Sequence, residues 1–357
     1  MDIYVLNNKN EMLDIVDTYK SAIWDLSYND VGNFELYIAC TSAVAKIFKA
    51  GNRLVRDVDI SSSGTMHHVM IIKKIETTTD DDDGDNLIIT GQDLKSILGQ
   101  RIVWNQTMLS GTVDKCIAML MNENVIAPEN SNRMIDNFKL VVTGGFKDVI
   151  TNQQFTGDSL LDAISSILVS CAIGYDIYIA ANGMYIMYLY KGVDRSASQE
   201  IYPQIIFSSN NENIIDDTYT IDYSEYKNVA LVAGEGEGKA RRTMTVGKAS
   251  GLDRYEVYVD AKDISSNDDN IADAEYKNML TESGKDYLAE RSYTEKYEGT
   301  IETNGIYIYG EDYNLGDIVT VINKYGITAS PRITSVIESV SDEGVSIVPT
   351  LSTWIGD

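Results

Sequence analysis

With 357 residues, 44% of them hydrophobic, and only 4 prolines and 26 glycines, the chain has the material for two or three packed domains, which excludes a collagen-like or broadly disordered protein. A formal charge of −25, from 54 acidic and 29 basic side chains, sets up a field that repels phosphates and argues against specific nucleic-acid binding. No apolar run reaches the roughly 18 residues of a membrane span, and the first residues form neither a basic nor an apolar leader, so neither a span nor a signal peptide is expected.

In chain order, the first hundred residues read mostly as short strands, at 3–6, 21–28, 33–40, 53–57, 66–78 and 86–90. The clearest stretch is 24–40. There Trp24, Leu26 and Tyr28 alternate with Asp25 and Ser27, Asn29, Asp30 and Gly32 intervene, and the alternation resumes at Phe34, Leu36, Ile38 and Cys40. Asn, Asp and Gly tolerate the positive φ angles of tight turns, so this is a β-hairpin with one apolar face. Helices at 42–49 and 92–98 end at Gly51 and Gly99. Many short sequential strands with few helices predict an N-terminal β-barrel-like domain over 1–100.

From Arg101 the pattern turns helical, with Val113, Ile117, Leu120 and Met121 on one face. A longer helix begins near Asp158, whose carboxylate is placed to cap it, carries Leu160, Ile164, Ile167 and Leu168 at helical spacing, and ends at Gly174. A hairpin follows, 175–179 and 184–190, around Ala181, Asn182 and Gly183. Residues 101–204 are thus a mixed α/β domain. Strands return at 205–208, 218–223, 228–233, 241–246 and 255–260, then a helix at 271–291 with Gly284 as its weak point, then strands at 293–302, 305–309, 317–323, 328–338 and 344–351. Residues 205–357 form a β-rich domain with one long helix, a second barrel-like unit. The expected fold class is α+β and multidomain, two mainly antiparallel barrel-like units flanking a mixed one.

No stretch carries recognisable chemistry. The acidic run Asp80, Asp81, Asp82 and Asp83 fails as a calcium loop aligned on Gly84, because Thr79 and Thr90 stand where acids are required; a solvated hairpin tip is expected. His67 and His68 are the only histidines, and neighbours in a strand point to opposite faces, so they do not share a metal ion. The glycine-rich segment from Ala233 to Lys239 has the wrong residues for a phosphate loop at Ala233, Lys239 and Ala240, and Glu235 and Glu237 would repel phosphate. Cys40, Cys116 and Cys171 are odd in number and far apart, as expected of buried thiols in a reducing cytoplasm. Neither a nucleophile motif nor a metal-ligand spacing occurs. Catalytic residues, cofactor-binding residues and metal ligands are therefore all expected to be absent.

The ordered set WDLSYNDVGNFELYIA, HHVMIIKKIET, LIITGQDLKSILGQRIVW, SEYKNVALVAGEGEG, SGLDRYEVYVDAKDI and NLGDIVTV resembles the baseplate hub, or tail-associated, protein family of siphophages and Gram-positive prophages. The resemblance implies a homotrimer in which each subunit carries two related β-barrel domains. Such a ring offers six similar faces to a six-fold tail tube or distal tail protein, and adapts it to a tail spike, fibre or tip protein around a DNA channel. It implies a virion protein of the tail tip, made in the bacterial cytoplasm. The sequence stops at Asp357, without the long C-terminal extension of related tail-tip proteins, so a separate spike or fibre is expected to act on the host. Two other classes stay open: a tail-tip cell-wall hydrolase or peptidase, and a carbohydrate-binding adhesin with exposed platforms such as Trp104 or Trp354.

Overall fold

The computed structural model describes residues 1–80, 84–142, 146, 150–266, 271–301, 306–326 and 328–352. In chain order the strands and helices are β1 (Ile3–Leu6), β2 (Met12–Val16), β3 (Ser21–Ser27), β4 (Asn33–Ala39), α1 (Val44–Ile47), β5 (Arg53–Arg56), β6 (Met70–Asp80), β7 (Gly84–Asp93), β8 (Thr107–Thr112), α2 (Val113–Met121), β9 (Phe138–Val141), β10 (Ile150–Phe155), α3 (Leu160–Ser170), β11 (Gly174–Ile179), β12 (Tyr185–Tyr190) and β13 (Ile206–Ser208). There follow β14 (Ile214–Asp222), β15 (Val229–Ala233), β16 (Thr243–Val246), β17 (Glu256–Asp260), α4 (Asp273–Glu290), β18 (Thr294–Ile301), β19 (Thr320–Ile322), β20 (Thr328–Ala329), β21 (Arg332–Ser341) and β22 (Gly344–Ser352). The protein is mostly β with few helices.

The hairpin is built as its alternation demands. On β3 the residues Ala22, Trp24 and Leu26 are buried, and on β4 Phe34, Leu36 and Ile38. Trp24 lies directly opposite Phe34, with ring centroids 5.6 Å apart, a cross-strand pair of the kind that contributes roughly 0.5–1.5 kcal/mol beyond area burial. Both edges of this hairpin find strand neighbours. β4 pairs with β7, and the free side of β3 pairs with β21 from the far end of the chain, Leu26 opposite Val336.

That last pairing changes the architecture. In place of two barrels, strands from both ends of the chain form one 11-stranded sheet in the order β14-β18-β22-β21-β3-β4-β7-β6-β5-β1-β2, every neighbour antiparallel. Among the described residues none of the sheets closes into a barrel. The smaller sheets are β8 with β10, β9-β12-β11, β13-β19-β20 and β16-β15-β17. One apolar core lies against the strands of the first hundred residues, and a second joins them to α2, α3, β11 and β12. Smaller cores sit between β13, β19 and β21 and beneath α4.

Several local expectations are corrected. β2, β8, β9 and β10 are strands that the sequence pattern does not announce. The 42–49 helix shrinks to the single turn α1, and 92–98 is a 3-10 segment, Leu94–Gln100, capped by the Asp93 side chain. The strand expected from residue 66 starts only at Met70, because His68 takes φ 47° and breaks it. Ser159, not Asp158, caps α3; the Asp158 carboxylate instead accepts from the Thr156 N–H at 2.9 Å. Residues 306–309 form no strand.

Candidate functional site

Tyr28 continues the buried alternation of β3 and is a residue on which the sequence stretches 1–100, 101–204 and 205–357 meet. Its backbone N–H donates to the Thr334 carbonyl at 2.9 Å, and its own carbonyl accepts from the Tyr175 N–H at 3.1 Å. Its ring leaves no room for a side chain at two glycines: a Cβ at Gly174 would lie 2.1 Å from the ring and one at Gly316 2.4 Å. Gly316 also takes φ 93°, a conformation that L side chains rarely adopt. The phenol hydroxyl points at the Ala172 and Tyr190 carbonyls, 3.2 and 3.3 Å away, the Tyr190 ring meets it edge-on at 5.2 Å, and the Arg332 guanidinium lies 5.5 Å from its centroid.

Two ion-pair networks flank this joint. Buried Arg56 pairs with Asp59 and reaches across to Glu338 on β21 at 3.0 Å, while its guanidinium lies 5.4 Å from the Trp24 ring. The Trp24 indole N–H donates to the His68 carbonyl at 3.3 Å. Arg195 pairs with Asp317 at 2.8 Å, and Asp317 also accepts from the Val193 and Asn314 N–H groups, tying the middle unit to the C-terminal one.

Beside Tyr28 opens a cleft of about 200 Å³, lined by residues of all three units, among them Ser27, His68, Asp93, Lys95, Asp176, Tyr188, Tyr190, Tyr309 and Asn314. The cleft wall from the middle unit is the outer face of the β11–β12 hairpin, where Asp176 stands directly opposite Tyr188 and Tyr190 opposite Gly174. The Lys95 ammonium is buried; it donates to the Ser27 carbonyl at 2.6 Å and lies 3.3 Å from Asp93. Burial, opposed by Lys95, pushes the Asp93 carboxyl above its ordinary range. His68 keeps 31% of its side chain open, and its Nδ1 lies 2.7 Å from Asp59. Burial acts to lower its pKa, but the hydrogen bond and charge of Asp59 prevail and hold the imidazole above its usual value. A carboxylate–imidazole pair is half of a catalytic arrangement. Ser27, the lining serine, accepts at its Oγ from the Asp30 N–H at 3.2 Å.

The residues singled out in the sequence do not converge. The His67 ring packs on Tyr178, with centroids 4.9 Å apart, while His68 turns to Asp59. Among the described residues no group of His, Cys, Asp and Glu is arranged to hold a metal ion. Of the acidic run, Asp80 ends β6 and pairs with Gly84 of β7; Asp81, Asp82 and Asp83, on which the expected hairpin tip falls, lie outside the described residues. In the glycine-rich segment, Glu235 turns inward to accept from the Ser266 N–H and Oγ at 2.8 and 2.6 Å, and the Glu235 N–H donates to the Tyr276 hydroxyl at 2.8 Å. Cys116 is buried, its thiol pushed up to about 11 by burial, whereas Cys40 and Cys171 are only partly buried. Trp104 is 61% exposed beneath the Arg133 guanidinium, and Trp354 lies outside the described residues. No helix among the described residues is long and apolar enough to cross a membrane. Sequence reasoning missed Asp176 and Lys95, whose cleft forms only once distant strands meet, and the Arg56–Glu338 pair, since nothing local marks a residue whose partner is 282 positions away.

The family model of the siphovirus ReqiPepy6 Gp37-like proteins matches residues 2–351. The fold is similar to the 43 kDa tail protein of prophage MuSo2 from Shewanella oneidensis, at 11% identity and a TM-score of 0.61, covering 99% of this chain and 98% of that one. It is similar too to a tail protein from Neisseria meningitidis, at 14% identity and TM-score 0.56, with 99% and 97% covered. Prophage tail protein gp18 from Listeria monocytogenes aligns at 13% identity and TM-score 0.53, with 98% and 94% covered. No curated protein sequence matches the chain.

Proposed function

The chain belongs to the siphovirus ReqiPepy6 Gp37-like family of phage tail proteins, and from that premise we propose that it is a non-enzymatic hub at the tail tip. In this reading three copies form a ring that receives the six-fold tail tube or distal tail protein on one side and a spike, fibre or tip protein on the other. The strand-rich units 1–100 and 205–357 act as the two halves of each subunit, giving a trimer six faces. The family match over nearly the whole chain is the observation that carries the proposal.

The surface supports a protein made for permanent contacts. β2 is an outer edge of the large sheet, with Met12, Leu13 and Ile15 at 60%, 50% and 42% exposure, and an edge of that kind is ready to pair with another chain. Leu231, Tyr255 and Tyr258 leave a second apolar area exposed on and beside the β16-β15-β17 sheet. The charge of −25 suits a channel wall along which DNA slides without sticking.

Light scattering with negative-stain imaging of the same peak tests the reading. A mass near three times 39.6 kDa, with ring-shaped particles, is expected. A protein that stays monomeric alone and when mixed with its neighbouring tail proteins overturns it. The Asp59–His68 pair gives a hydrolase reading its one foothold, and a zymogram on purified cell wall is expected to stay blank.

A further inference from the structure

The charges around the cleft cancel in pairs, with one exception. Lys95 is held by Asp93 and the Ser27 carbonyl, Arg56 by Asp59 and Glu338, and His68 by Asp59. Asp176 accepts a hydrogen bond from the Ile177 N–H at 2.8 Å and, among the described residues, enters no ion pair. It stands among tyrosine rings. Tyr188 is its direct cross-strand partner, and Tyr188 lies 5.7 Å from Tyr178 and 5.5 Å from Tyr190, ring to ring. Tyr309 and Asn314, from the C-terminal part of the chain, line the same cleft.

We infer that this cleft binds a guanidinium group. A carboxylate supplies the charge, tyrosine faces attract a cation through their quadrupole, and a planar, weakly hydrated guanidinium stacks on rings better than a compact ammonium does. The Asn314 side chain offers a carbonyl oxygen to the remaining N–H groups. An inorganic anion is disfavoured because Lys95, Arg56 and His68 are already paired with carboxylates. A hard metal ion is disfavoured because it requires about six oxygen ligands where rings stand instead. The guanidinium comes either from an arginine side chain of a neighbouring tail protein or from a small free molecule; the chemistry of recognition is the same.

Calorimetric titration of the full-length protein with butylguanidinium, and with uncharged butylurea as a control of the same shape, tests this. Butylguanidinium is expected to bind at least tenfold more tightly than butylurea, and Asp176→Asn to remove that difference while leaving the melting temperature in place. Should Asp176→Asn fold poorly, Tyr188→Leu reads the same site through its ring and is expected to weaken butylguanidinium binding severalfold. Equal binding of the two probes, or unchanged affinity in both variants, overturns the assignment. A capped glycine peptide bearing one arginine separates the sources. Tighter binding than butylguanidinium points to a protein partner, and equal binding to a free small cation.

Discussion

Tyr28 joins three units through one side chain, and its replacement is expected to cost more than that of an ordinary core residue. Tyr28→Ala empties a site bounded by Gly174, Gly316 and Tyr190 and is expected to destabilise the fold by about 3–5 kcal/mol, as large-to-small aromatic substitutions do. Tyr28→Phe keeps the packing and loses only the hydroxyl contacts, for about 1 kcal/mol. Gly174→Ala drives a methyl into the ring and is expected to destabilise by about 2–3 kcal/mol. Urea denaturation of the three variants checks the order; a neutral Gly174→Ala would show that the ring is free to move. The burial of Trp24, Leu26 and Tyr28 was legible in their alternation. The special position of Tyr28 was not, because Gly174 and Gly316 become its neighbours only once the chain has folded.

Among the elements, the long helix α4 packs on β15, β16, β10 and α3 and carries Asp286 toward α3. Burial pushes the Asp286 carboxyl up to about 7, Glu282 and Glu290 add to the rise, and Ser170 opposes it. The Gln153 side-chain amide donates to it. A carboxyl whose pKa is raised on folding binds its proton more tightly in the native state. Its contribution to stability is full below the ordinary carboxylate range and is lost as pH rises through about 7. Melting temperatures of the wild type and Asp286→Asn are therefore expected to diverge between about pH 4 and about pH 7, the variant gaining on the wild type as pH rises. A constant gap would rule this out. The helices α2 and α3 could be read from their 3.6-residue spacing, and the 24–40 hairpin from its period of two. β2 escaped because most of it is exposed, so its apolar residues mark an edge and not a core face. β8 carries Gly111 at φ 128°, which interrupts the strand signal.

At the scale of the whole molecule, the register between β3 and β21 binds the first and last parts of the sequence into one sheet. Scanning calorimetry is expected to find the units 1–100 and 205–357 melting in a single transition, and two separated transitions would mean that the shared sheet couples them weakly. The high strand content was visible in the sequence. The joining of the two strand-rich units was not, because pairing over such distances leaves no local trace. The same pairing sets a timetable for biosynthesis. β3 leaves the ribosome early, but its partner β21 follows roughly 300 residues later, a wait of about 15 to 60 s at bacterial elongation rates, and until then one side of β3 has only water for its backbone. The centre of this sheet is thus completed when synthesis is nearly over, and the nascent chain spends most of its time on the ribosome with a sticky strand that a chaperone, or a neighbouring nascent copy, is free to occupy.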